Sequence, residues 1–133
     1  MEKIEHIGIA VENLEKSMKL FEILHGAKSY KTETVDSEKV ITAFFRCGES
    51  KIELLQGTDP DSPISKFISK RGEGIHHIAF DVKNLEEYMQ KLKASGIRLL
   101  NETPKKGADN KLICFLHPKD TNNVLIELCQ DIP

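Results

Sequence analysis

Apolar and polar positions alternate along residues 4–11, with Ile7, Ile9 and Val11 on one face and Ile4, His6, Gly8 and Ala10 on the other. That is the period of a strand. The period then lengthens: Leu14, Met18, Phe21 and Leu24 recur at helical spacing, Asn13 suits the N-cap and Gly26 the C-terminal stop. Residues 28–34, 39–47 and 50–56 return to strand character, with Gly48-Glu49 turning between the last two. The order is βαβββ. Residues 57–74 interrupt it. Asp59-Pro-Asp-Ser-Pro63 is turn chemistry, Ile64 to Ser69 predicts a short helix, and Arg71-Gly-Glu-Gly74 closes the connector. The pattern then starts again. A strand is expected over 74–82, then a helix with Asn84 and Glu87 as a capping box and Leu85, Tyr88 or Met89, and Leu92 as its apolar stripe. Gly96 ends that helix. Strands are expected at 97–101, 111–117 and 123–129, and the polar stretch 102–110 reads as a mobile loop.

The second half repeats the words of the first as well as its pattern. His6-Ile-Gly-Ile-Ala-Val-Glu-Asn-Leu-Glu15 returns as His77-Ile-Ala-Phe-Asp-Val-Lys-Asn-Leu-Glu86, and Lys51-Ile-Glu-Leu-Leu-Gln56 returns as Leu125-Ile-Glu-Leu-Cys-Gln130. An internal repeat of this kind sets the architecture. Two similar modules are expected, about residues 1–57 and about 74–133, within a single domain spanning 1–133.

The repeat also duplicates a His-then-Glu couple. In each strand the polar residue opposes an apolar face: His6 opposes Ile7 and Ile9, His77 opposes Ile78 and Phe80, Glu53 opposes Ile52 and Leu54, and Glu127 opposes Ile126 and Leu128. Any one of them alone would be an ordinary surface group. Four in matched positions are expected to converge, and two buried carboxylates are costly without a cation. His6, Glu53, His77 and Glu127 are therefore candidate ligands of one divalent metal. The nitrogen and oxygen donor set suits Co, Ni, Mn, Fe or Zn with open water positions, not a closed structural zinc site. His76 points to the opposite face from His77 and reads as a packing residue, and His25 lies at a helix end. His117, before Pro118 and Lys119, closes a strand at the expected site rim. Lys66, Lys70, Arg71, Lys105, Lys106, Lys111 and Lys119 read as mostly solvated, some of them able to meet phosphates.

The bulk numbers exclude several classes. A length of 133 residues is one domain with a real core, and a net charge of −2 gives no global pull toward nucleic acid or an anionic membrane. No signal peptide is visible and no segment approaches a transmembrane span. The three cysteines, Cys47, Cys114 and Cys129, lack metal-type spacing and read as reduced thiols, so a cytoplasmic protein is expected.

The duplicated His and Glu strands resemble the vicinal-oxygen-chelate superfamily, which includes glyoxalase I, extradiol dioxygenases, antibiotic-resistance proteins and methylmalonyl-CoA epimerases. The resemblance covers nearly the whole chain and is closest to the epimerases. Its narrower phrases are Asp61-Ser-Pro-Ile, Gly72-Glu-Gly-Ile-His-His-Ile-Ala-Phe80, Phe115-Leu-His-Pro-Lys119 and Val124-Leu-Ile-Glu-Leu128. It implies an α+β fold of two tandem βαβββ modules that form a cupped mixed sheet around a metal site. It implies His6, His77 and Glu127 as metal ligands, with Glu53 where the family has a Gln or Glu. It further implies a homodimer, cobalt or a similar divalent ion, an acyl-CoA substrate, and interconversion of (2R)- and (2S)-methylmalonyl-CoA. His117, Lys119 and Lys111 are the candidate substrate contacts.

Epimerisation removes one poorly acidic proton between a thioester and a carboxylate, leaving an enolate that a Lewis acid stabilises. Glu127 is the expected acid/base on one face. On the other, an acidic residue of some relatives falls at Thr42 here, which leaves Glu53, Asp36 or Glu38 as candidates. Two further departures are Gly107-Ala-Asp-Asn-Lys111 and Asn122-Asn123, where the family has glycine-richer turns. A glyoxalase I-type lactoylglutathione lyase and a non-catalytic ligand-binding protein are the alternatives. The first generally lacks the Gly-Glu-Gly-Ile-His-His and Leu-His-Pro-Lys phrases, and the second commonly lacks the full ligand set.

Overall fold

The computed structural model describes residues 1–133. The elements run β1 (Lys3–Ala10), α1 (Leu14–His25), β2 (Lys31–Val35), β3 (Val40–Cys47), β4 (Ser50–Gly57), α2 (Pro63–Arg71), β5 (Gly74–Asp81), α3 (Leu85–Ala94), β6 (Lys105–Lys106), β7 (Lys111–Phe115) and β8 (Ile126–Asp131). The fold is α+β, with βαβββ occurring twice and α2 in the connector. The strands form one mixed sheet in the order β2-β3-β4-β1-β5-β8-β7-β6. No helix is long and apolar enough to cross a membrane.

The two long helices start by the same device. The side chain of Asn13 accepts from Lys16 N–H, and that of Asn84 from Glu87 N–H, the N-cap bond that satisfies an otherwise orphaned amide. A second bond sits beside each. Gln56 Oε1 accepts from Leu14 N–H and Gln130 Oε1 from Leu85 N–H, both at 2.6 Å. The repeated glutamine thus fastens the first residue of each helix to a strand of its own module. Gly26 closes α1 with φ 81° and donates to Glu22 O, a left-handed stop that favours glycine.

Contacts divide the chain into two compact units, Ile7–His76 and Met1–His6 with His77–Pro133. The division falls inside β1 and between His76 and His77, so the first six residues group with the second half of the chain.

In the Ile7–His76 unit, Val11, Leu14, Ala43, Phe45 and Leu54 are buried together, with Met18 and Phe21 of α1 packed on them. A second cluster joins Ala10, Val40, Leu55 and Ile64, with Phe67 and Ile68 of α2. Phe44, Phe45 and Leu54 are at most 1 % exposed, and each such side chain contributes about 1.5–3 kcal/mol. Alternation puts Ala10 on the face of Gly8, opposite Ile9. Helices therefore cover both faces here, α1 one and α2 the other. Gly57 is required at this junction, because a Cβ there would lie 2.1 Å from Ser65 Oγ.

In the other unit, Val82, Leu85, Met89, Cys114, Leu116 and Leu128 form the core, with Tyr88, Leu92, Ile97 and Leu99 against it. The strand expected at 97–101 is replaced by a single bridge between Leu99 and Leu116. The reason is Asn101. Its Oδ1 accepts from Phe115 N–H, and its Nδ2 donates to Ile113 O and Thr103 O. The side chain occupies the backbone groups of β7 that a regular ladder would use. The edge strand is instead β6, whose Lys105 and Lys106 pair with Ile113 and Leu112, inside the stretch expected to be a mobile loop.

Candidate metal centre

Each residue of the centre stands at the polar phase of a strand. His6 belongs to β1, His77 to β5 and Glu127 to β8. The parallel pairing of β5 and β8 sets Ala79 opposite Glu127, and the antiparallel pairing of β7 and β8 sets Phe115 opposite it. His77 lies two residues before Ala79, on the same face. Its ring meets that of Phe115 edge-on at 5.8 Å between centroids, which fixes the imidazole plane.

The three side chains converge within one unit. His6 Nε2 lies 2.9 Å from His77 Nε2, 3.6 Å from Glu127 Oε2, and His77 Nε2 lies 3.5 Å from Glu127 Oε1. Their ligand atoms all fall within 4.8 Å of one another. All three residues are buried, at 5 %, 3 % and 5 % exposure. Two imidazole nitrogens aimed at each other, with a carboxylate against both, are a donor set that a divalent ion joins. The ion also cancels the charge that burial would otherwise penalise. The residues present thus fit the metal that the sequence implied.

Behind His6 is a carboxylate that the repeat does not flag. Glu5 Oε1 lies 2.9 Å from His6 Nδ1, and Glu5 is 2 % exposed. Glu5 Oε2 lies 3.7 Å from Lys111 Nζ, which also pairs closely with Asp131. Lys111 is buried, where the sequence suggested a solvated lysine or a substrate contact. Burial pushes the nearby Asp81 carboxyl above its ordinary value. Lys111 opposes that rise, while Asp131 adds to it. The available signal for Glu5 was a charged residue at an apolar phase, in register with Ile7 and Ile9. Nothing comparable marked Lys111.

The remaining candidates are placed as follows. Glu53 is not one of the three clustered ligands. It is buried in β4, opposite Phe44 in the β3–β4 pairing. Thr42 in β3 is fully buried, and its Oγ1 has no hydrogen-bond partner. Asp36 and Glu38 belong to a single exposed-to-intermediate turn after β2. His117 is half-buried, and its Nδ1 accepts from Lys119 N–H at the start of the turn Pro118–Asp120, while Lys119 itself is exposed. His76 packs edge-on against Phe67 at 5.0 Å, the packing role expected for it, and His25 meets Phe45 in the same way at 5.9 Å. All three cysteines are free thiols. Burial pushes Cys114 up to about 11 and Cys129 higher still, so neither is a thiolate near neutral pH.

Three His and Glu strands around one point, on a duplicated βαβββ frame, agree with a comparison to known sequences. The sequence profile of the glyoxalase/bleomycin resistance protein/dioxygenase superfamily matches residues 5–115. The chain belongs to that superfamily. Among its superfamily relatives, the Bacillus subtilis protein YqjC is 40 % identical over 98 % of this chain and 93 % of its own length. The mitochondrial methylmalonyl-CoA epimerase of Dictyostelium discoideum is 39 % identical over 95 % of this chain and 76 % of its own. A solved structure of a methylmalonyl-CoA epimerase in complex with methylmalonyl-CoA and ammonium superposes with a TM-score of 0.95 at 33 % identity, covering 98 % and 95 % of the two chains.

Proposed function

We propose that this protein is a methylmalonyl-CoA epimerase that interconverts the (2R) and (2S) forms by moving the α-proton. The observation that carries the reading is the buried His6–His77–Glu127 cluster on a frame similar to such epimerases along nearly its whole length. Similarity to a relative bound to methylmalonyl-CoA supports an acyl-CoA thioester as the substrate.

In this reading His6, His77 and Glu127 hold a divalent ion, with Glu53 as the fourth ligand assigned from the sequence. Cobalt is the proposed metal, and nickel, manganese or zinc would suit the same donors. When bound, such an ion supplies Lewis-acid stabilisation of negative charge developing on oxygen.

The chain's own residues divide the rest of the work. Glu127 is the proposed acid/base for one face of the α-carbon. One carboxylate oxygen would stay a ligand while the other takes and returns the proton. Its burial excludes water from that exchange. Of the three carboxylates considered for the opposite face, Asp36 is exposed, Glu38 is half-buried and Glu53 is buried. Burial keeps water from a proton exchange at Glu53, so it is the proposed one of the three, acting as base when it is not held as a ligand. Thr42 has only a hydroxyl to offer and cannot serve as that base near neutral pH. His117 and the exposed Lys119 are the proposed contacts for the substrate's polar portion. A homodimer is part of the same proposal, and light scattering measures it.

The test uses metal-replete protein and methylmalonyl-CoA in deuterated water. Deuterium should enter the α-carbon faster than in a protein-free control. No enzyme-dependent exchange would sink the epimerase reading. Turnover of methylglyoxal with glutathione would then favour the lactoylglutathione lyase.

A further inference from the structure

An imidazole can bind a metal through only one of its two nitrogens at a time, and the other nitrogen must then carry the proton. Which one is protonated is set by what the other side of the ring meets. For His6 the answer is Glu5. An ionised carboxylate has no proton to give, so with Oε1 2.9 Å from Nδ1 the ring carries its hydrogen on Nδ1. Nε2 is left with its lone pair, turned toward His77 and Glu127.

Glu5 is itself held. Its two oxygens have separate partners, His6 Nδ1 on Oε1 and Lys111 Nζ on Oε2. Lys111 opens β7 and pairs with Asp131 of β8 in the sheet register as well as through its ammonium. The turn before it is set by Asp109 and Asn110, both left-handed with φ 56° and 58°, and by Gly107 N–H donating to Lys111 O at 2.9 Å. Asx residues tolerate that backbone. Thus the loop Gly107-Ala-Asp-Asn-Lys111 ends in a buried lysine whose ammonium meets Glu5 of β1.

We propose that Glu5, steadied by Lys111, is a positioning residue that fixes the Nδ1–H tautomer of His6 and thereby sets the metal affinity of the centre. The inference rests on the metal-centre reading above. A purely structural role is poorly served by these residues: two charges at sites where apolar side chains would pack are seldom a net gain in stability. Carboxylates behind metal-bound histidines typically govern affinity by about 10–100-fold.

Three variants test this: Glu5→Gln, which keeps the acceptor oxygen but not the charge, Glu5→Met, which removes both, and Lys111→Met. Cobalt(II) affinity is measured by competition titration. The ring tautomer of His6 is read from long-range 15N–1H spectra of metal-free protein, and circular dichroism verifies folding. Wild type should show a single Nδ1–H tautomer. Glu5→Met should show a mixture of both tautomers and an affinity lower by about 10–100-fold. Glu5→Gln should keep the tautomer with a smaller loss of affinity, and Lys111→Met should likewise lose less than Glu5→Met. A folded Glu5→Met protein with the wild-type tautomer and wild-type affinity overturns the proposal. Unchanged affinity in Lys111→Met overturns the part given to the lysine. Wild type that binds no cobalt overturns the metal-centre reading instead. The tautomer spectra still decide the role of Glu5, because they need no metal.

Discussion

Glu127→Gln separates the charge of the centre from its shape. Glutamine keeps the size of the side chain and one oxygen near His77, but removes the only carboxylate among the three clustered ligands. Without metal, the change should cost little. The residue is 5 % exposed, and burying an ionised carboxylate carries a desolvation cost that the neutral amide avoids. With metal, the two proteins should part. A ligand present at 100 times its dissociation constant stabilises the folded state by about 2.7 kcal/mol. For a chain of this length the unfolding entropy is roughly 0.28 kcal/mol per kelvin, so the melting temperature should rise by about 10 °C. Losing the partner behind a ligand weakens binding by up to about a hundredfold, and losing the ligand itself should do at least as much. At the same cobalt concentration the variant then keeps only about 0.4 kcal/mol, or roughly 1.5 °C. The assay is differential scanning fluorimetry of metal-stripped protein, with and without cobalt(II). A variant that shifts as far as wild type would refute Glu127 as a ligand. A variant that is already unfolded without cobalt would show that the carboxylate is needed for the fold, contrary to the argument.

Two further predictions concern the frame. Gln56→Leu and Gln130→Leu should each lower unfolding stability by about 1–2 kcal/mol in urea titrations, since each strands a helix-start amide; two silent variants would refute the fastening role of the repeated glutamine. Asp120 accepts from Arg98 N, Nε and Nη2, each at 2.9 Å, and that guanidinium holds its carboxyl well below the ordinary value of 3.8. A depressed carboxyl contributes stability above its unfolded value and loses it as pH falls through the folded one. The stability gap between wild type and Asp120→Asn should therefore be present at pH 7 and narrow below about pH 4, and a gap that persisted into strong acid would contradict this pairing.

The sequence made the frame legible where one residue's phase decided its fate. His6, His77 and Glu127 could be read as convergent because strand alternation and a repeat are local signals, each visible within a few residues. The same holds for Asn13, Asn84 and Gly26, whose roles depend on their immediate neighbours. What escaped the reading depends on pairs far apart in the chain. Ile97 and Leu99 alternate as a strand would, but their burial is against α3 and the adjoining core, and the ladder that alternation promised is taken by the Asn101 side chain. Glu5 and Lys111 are both charged and both buried because each meets the other. Neither fact is visible from either residue alone. Lys111 itself reads from the sequence as a solvated lysine or a substrate contact, and its burial cannot be seen from its own neighbours. The recurrence of Gln56 as Gln130 was in plain view, but its purpose lay in two helices that begin 42 and 45 positions away.

The division of the chain inside β1 has a consequence for the order of events during synthesis. His6 groups with residues 77–133, so it must wait for residues made well after it. At about 5–20 residues per second, Glu127 leaves the ribosome roughly 6–24 s after His6. In that interval the cluster lacks its carboxylate, and a metal ion offered to the nascent chain meets at most the two cluster histidines, His6 and His77. The cluster can then load as a whole only after β8 has been made.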